Sequence, residues 1–404
     1  MLERPKQGPL KCLPLCLAAL LAACSDPTPA QPPAGSGGAT PNAGGAGGRA
    51  TGGNGGGQNA GGQGGSNRDA GADQTAPCGA SNLTCNPLAA LPQELEATGL
   101  IAHITAGETK KAERVFAYTP SPELYSNGLG KKRFLLLPTG GSVNNQNRDV
   151  WEYPVGSIFV KTFYDERAGA ARPVETRLIR RTDNRFEPFE YSVYRWSEDG
   201  RSATLLDIAG NKRTPVSVSV AGRSLNHTIP SRNDCGECHD KNAQAASTII
   251  GFDEVRLNHP GKSGNTTTQL QDLARDGVFS AAIPATPRKI TDPNPNLQRV
   301  KTFVFGNCAH CHHGQQGIVD FRPDVFVANT IGKPPESPGI TAPDGWARVV
   351  AGAPDMSLVY LQARGGELPK GLRPMPQVGI DVRDLPVFTA ELDALRTWIM
   401  SLPR

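Results

Sequence analysis

Two short stretches of the chain place cysteine and histidine at a spacing that chemistry can use. They read Cys235-Gly236-Glu237-Cys238-His239 and Cys308-Ala309-His310-Cys311-His312. With 9 Cys and 7 His in 404 residues, chance would supply on the order of 0.003 such Cys-x-x-Cys-His matches. Two cysteines three apart on a helical turn can both reach one porphyrin edge, where each thiol adds to a vinyl group. The histidine that follows then lies under the ring and offers its imidazole to the iron. Two other chemistries use paired cysteines. A zinc site built from all four cysteines is disfavoured because 69 residues separate Cys238 from Cys308, far more than zinc modules of this kind use. A redox dithiol needs a βαβ setting and has no need of the histidine. Two covalently bound c-type haems are therefore expected, held by Cys235, Cys238, Cys308 and Cys311, with His239 and His312 as proximal iron ligands.

A second axial ligand must come from elsewhere. Met375 sits in Arg373-Pro374-Met375-Pro376, where the prolines fix extended backbone and remove donors. Such a loop presents a thioether, and His/Met ligation raises the potential of a c-type haem. Met356 and Met400 lie in helical patterns and read as packing residues. The first haem has no methionine between His239 and Met356. His259 and His227 are its nearest candidates, with His259 favoured, and an open sixth position is the alternative. His310 and His313 flank the second motif and read as solvent-facing or hydrogen-bonding groups.

The elements that must position these residues fall into blocks. Residues 1–23 read as an export signal, with a charged start and a short apolar run that ends in Leu21-Ala22-Ala23-Cys24. That ending is a lipobox pattern in which Cys24 receives the lipid. Residues 24–77 are a Gly-rich linker, with 17 glycines in the 37 positions from Gly35 to Gly71, unable to bury enough surface to order itself. Export to an oxidising compartment makes a Cys78–Cys85 disulfide the expected fate of that pair. From 78 to 232, short β-branched and aromatic runs separated by turns, at Arg133–Pro138, Ser157–Asp165, Val174–Thr182, Phe189–Glu198, Ala203–Asp207 and Val216–Leu225, predict an antiparallel β-rich domain. Residues 233–300 and 301–404 carry helical stripes and caps around the two motifs, including the Thr268–Gln271 capping box and a last helix that starts at Thr389. The expected fold class is a multidomain α+β chain: an antiparallel β-rich domain followed by all-α cytochrome c-like haem modules, behind a disordered N-terminal linker.

Leu124–Gly128, Lys132-Arg133, Pro154–Phe163, Glu175–Ile179 and Ile229–Cys235, followed by both motifs and Met375, resemble a family of bacterial periplasmic dihaem c-type cytochromes with an N-terminal β-rich module. The similarity spans roughly residues 88–404. The resemblance implies two covalent haems, His239 and His312 as proximal ligands and Met375 as the distal ligand of the second. The chain departs from the family pattern at Leu257-Asn258-His259, where a basic residue is expected after Leu-Asn.

The function expected is one-electron transfer in the periplasm or at the cell surface of a bacterium, with the protein held to a membrane by its lipid anchor and exchanging electrons with redox partner proteins. A dihaem peroxidase-like enzyme using the first haem, or a β-domain binding module carrying a cytochrome, are the alternatives. Net charge is only +4 and there is no basic tract, so nucleic acid is not an expected partner.

Overall fold

The computed structural model describes residues 80–404 apart from 102–103, 105–113, 168, 186, 241–248, 262–265, 315–317, 336–342, 366–367, 369–371, 376–388 and 404. Cys24, the Gly-rich linker and Cys78 lie outside the described residues. Cys85 is disulfide-bonded.

Six strands form an antiparallel meander in chain order: β1 (Val115–Ala117), β2 (Gly130–Leu136), β3 (Ile158–Arg167), β4 (Ala170–Arg181), β5 (Phe189–Trp196) and β6 (Ala203–Leu205). A separate hairpin, β7 (Thr214–Val220) and β8 (Arg223–Ile229), follows. Strand side chains alternate between faces, but β3 is buried along nearly its whole length because both faces of the sheet are covered. On one face Phe134, Leu136, Ile158, Val160, Leu178 and Tyr194 pack with Leu83, Leu95 and Leu100. On the other, Leu135 and Phe159 join Tyr118, Trp151, Phe252, Leu257 and Leu270. Aromatic edges meet faces there, as in Tyr118–Phe252 at 4.9 Å and Tyr153–Phe159 at 4.9 Å, a geometry that adds to simple area burial. Phe163 and Val193 pack against Val216, Val218 and Ile229 of the hairpin.

The strand runs expected from sequence are present, with two differences. The run expected over Val216–Leu225 is a turn flanked by two strands. Val220 pairs with Arg223, leaving Ala221 and Gly222 as a two-residue loop with φ of 50° and 75°. β1 is an added edge of three residues.

The helices are α1 (Arg232–His239), α2 (Glu254–Leu257), α3 (Gln269–Arg275), α4 (Pro295–Asn307), α5 (Phe326–Thr330), α6 (Leu358–Arg364) and α7 (Thr389–Ser401). The expected all-α cytochrome c-like modules are not found. Among the described residues only α4 and α7 exceed eight residues, and the architecture is a β-rich antiparallel sheet structure dressed with short helices. The physical reason lies in what the helices bury. Leu257 of α2 and Leu270 of α3 complete the core of the sheet instead of a core of their own. α4, α5, α6 and α7 share Val300, Phe326, Leu361, Leu395 and Trp398, but Tyr125 from the β1–β2 connection joins the same cluster. Caps and stripes mark the helices correctly, including the Thr268 capping box and the start at Thr389, yet neither signal says what a helix will lie against.

Candidate metal centre

α1 carries the first motif. Its start is fixed by a capping box in which Ser231 and Asp234 bond each other's backbone, and Arg213 pairs with the same Asp234. One helical turn then sets Cys235 and Cys238 on a common face. The helix is held over the sheet at Tyr191 of β5. The Tyr191 hydroxyl donates to Asp240 at 2.9 Å, the Arg232 guanidinium lies 4.6 Å from the Tyr191 ring centre, and the His239 ring lies 5.5 Å from it. Burial and the Asp240 hydrogen bond push the Tyr191 phenol above its ordinary range. Burial likewise raises Cys235 to about 11.

The second motif begins where α4 ends. Asn294 caps that helix, with Pro295 in its first turn. At the far end Asn307 accepts from the Tyr125 backbone N–H at 2.9 Å and donates to Phe303 at 3.1 Å. Arg256 adds a second tie from α2, donating to the Phe305 carbonyl at 2.6 Å. Cys308 then opens a turn in which the N–H groups of Cys311 and His312 both bond its carbonyl, at 3.1 and 2.9 Å. Burial lifts the Cys308 thiol to about 12. The His312 ring stacks on Phe321 at 4.7 Å and 22°. Burial, and then the neighbouring His310, lower His312 to about 4, so its imidazole is neutral at physiological pH. Its Nδ1 is buried with no hydrogen-bond partner among the described residues. Leaving such an atom unpaired costs about 1–3 kcal/mol, and a ligand would remove that cost.

The two motifs meet. Cys238 Sγ, Cys311 Sγ and one ring nitrogen of His310 all lie within 4.8 Å of one another. The Cys311 hydrogen bond, and then burial, push the Cys238 thiol above its usual range. All four motif cysteines keep some accessible surface. His310 is the residue that sequence spacing missed. It stands inside the Cys-x-x-Cys loop, where motif logic assigns no role, and only the approach of α1 gives it one.

The remaining candidates are placed as follows. The Met375 N–H bonds the Gln362 carbonyl at 3.0 Å, and Gln362 donates back to Arg373 at 3.1 Å. The methionine loop is thus strapped to α6, whose Tyr360 and Leu361 share a core cluster with Phe321, the ring under His312. Both ring nitrogens of His259 face backbone carbonyls, Thr119 at 2.6 Å and Pro260 at 3.1 Å. His227 is buried in the sheet with Nε2 at 2.8 Å from Glu175. Met356 ends a short 3-10 turn, and Met400 is exposed on α7.

The donor chemistry fits a covalently attached porphyrin at each motif: paired thiols, and at the second a neutral imidazole with a spare buried nitrogen. Cys238, His310 and Cys311 by themselves also offer two sulfurs and one nitrogen, a donor set that a tetrahedral metal ion accepts. No helix among the described residues is long and apolar enough to cross a membrane. No family model, curated protein or solved structure matches the chain.

Proposed function

We propose that the chain is a dihaem c-type electron carrier of the bacterial cell envelope, related to the periplasmic dihaem family it resembles. The observation that supports this best is the convergence of the two Cys-x-x-Cys-His motifs, with Cys238 and Cys311 side by side. Haem, when bound, supplies reversible one-electron exchange at its iron. The chain does the rest. Cys235 and Cys238 tether one group, Cys308 and Cys311 the other. His239 and His312 would each offer an imidazole to an iron, and Phe321 fixes the plane of the His312 ring. Met375, whose backbone is held on α6, would supply a thioether to the second iron. Neighbouring attachment points put the two groups within reach of each other, which suits a relay for single electrons. In this reading Cys24 anchors the protein by lipid on the periplasmic side or cell surface, and its partners are redox proteins.

The expected result of a spectroelectrochemical titration is a reversible reduction in two one-electron steps. Met375→Ala should abolish the thioether-to-iron charge-transfer band and lower one of the two potentials. Retention of that band in the variant rules out Met375 as ligand.

A second reading rests on the Cys238–His310–Cys311 cluster: a structural metal ion bound by two thiolates and an imidazole. It predicts one zinc per chain and no Soret absorption. His310→Ala separates the two, since it removes a zinc ligand and leaves both haem attachments intact.

A further inference from the structure

The register of the sheet sets three cations side by side. Arg133 on β2 is opposite Lys161 on β3, and Lys161 is opposite Arg177 on β4. Directly opposed residues share a face, and like charges so placed repel. Lys131, two residues before Arg133, extends the group on the same face. Two carboxylates answer these four cations. Glu123 accepts from Arg133 at 2.9 Å and from Lys131 at 3.3 Å. Glu175, with no accessible surface, accepts from Arg177 at 2.6 Å and meets His227, whose other ring nitrogen faces Asn127. Positive charge remains in excess, the more so because register also sets Arg195 of β5 opposite Glu175.

Two donors are correspondingly left over. Among the described residues Lys161 has no carboxylate partner; its ammonium stands 4.6 Å from the Phe163 ring centre. Arg133 has a side chain only 4% exposed, and its Nη1 is buried without an acceptor. Burial, then Arg133, Arg177 and Lys131, drive the Lys161 amine well below its ordinary range. Lys161 and Arg177 nevertheless keep accessible surface, 29% for the Arg177 side chain. The first motif lies beside these two cations. Cys235 and Cys238 are near enough to act on Arg177, and α1 is held on the same face of the sheet by Tyr191, whose register partner Ile179 is two residues from Arg177.

We propose that the Arg133–Lys161–Arg177 row is a carboxylate-binding site, and that the carboxylates it takes are the two propionates of the haem tethered at Cys235 and Cys238. This rests on the dihaem reading. The surplus of positive charge suits the acidic edge of a porphyrin, and charge-assisted bonds to the partly accessible Lys161 and Arg177 would answer it. The row residues are positioning residues: they seat the group and tune it, and the bond to iron is made elsewhere. A free dicarboxylate offers the same chemistry from solution.

The test uses the full chain matured with haem. Haem is first counted by intact mass, and then both potentials and the propionate bending modes in resonance Raman are compared for wild type, Lys161→Met and Lys161→Arg. Removing a cation beside a porphyrin favours the more positive ferric state. Lys161→Met should therefore lower one potential, leave the other in place and shift one set of propionate modes. Lys161→Arg should restore the wild-type values, and Lys161→Gln serves if the methionine variant does not fold. In a Cys308→Ala/Cys311→Ala protein the affected haem should be the one that remains. Calorimetry with succinate should show no binding to wild-type holoprotein. Unmoved potentials and modes in a protein with two haems overturn the row assignment and leave the dihaem reading intact. Succinate binding that Lys161→Met abolishes, with both potentials unmoved, assigns the row to a free carboxylate and overturns it too. A chain without haem overturns both.

Discussion

Glu175 shows how much at the residue scale depends on neighbours distant in sequence. Burial opposes its charge, but Arg177 and the His227 hydrogen bond outweigh burial and hold the carboxyl at about 2 against an ordinary 4.5. A carboxyl depressed on folding adds stability that is complete above its unfolded value and lost as pH falls through its folded one. The protein should therefore lose stability between about pH 4.5 and 2 through this residue. Glu175→Gln should flatten that part of the acid-unfolding curve and, at neutral pH, cost about 1–3 kcal/mol, because the half-buried Arg177 loses its carboxylate partner. Urea titrations at several pH values read both effects; an unchanged acid limb would show that Glu175 does not carry it. None of this network is legible in the chain. His227 reads as a less favoured candidate ligand of the first haem, and Lys161 as one charge in a strand, until the fold sets His227 against Glu175, and register sets Glu175 beside Phe163 and Lys161 beside Arg177. The motif cysteines are legible because their chemistry is local, fixed within five residues.

At the scale of elements, the same contrast separates what a segment is from what it touches. The cap at Ser231 does not stand out in the sequence, but it sets the register of α1 and so the facing of Cys235 and Cys238. Ser231→Ala should destabilise the protein by about 1 kcal/mol, seen as a lowered urea midpoint with unchanged slope. A change in slope would point instead to a less compact state. The β7–β8 turn escapes a sequence reading because Ala221-Gly222 is not one of the Asn-Gly or Asp-Gly pairs that announce a type I′ hairpin, although both residues take positive φ. Helix stripes read well, but Leu257 and Leu270 could face either a helical partner or a sheet. The apolar face of β2 and β3, with Leu135 and Phe159, settles the matter. That choice is why expected helical modules become a layer on a sheet.

At the scale of the whole molecule, the 69 residues between Cys238 and Cys308 conceal an approach of the two motifs that brings Cys238, His310 and Cys311 within 4.8 Å of one another. Sequence spacing argues against a shared centre, since it counts residues along the chain. The fold closes that gap by tying α1 to β5 through Tyr191, α4 to the β1–β2 connection through Asn307, and α4 to α2 through Arg256. Each cysteine pair should nonetheless carry its own haem, because the covalent chemistry belongs to the motif. The direct measurement is intact mass with a haem assay on the full chain produced in an exporting bacterial host with c-type haem maturation. The expected result is two haems per chain, one in Cys235→Ala/Cys238→Ala, one in Cys308→Ala/Cys311→Ala, and none when all four are replaced. A chain that emerges without haem and holds a single zinc, lost on His310→Ala, would contradict it.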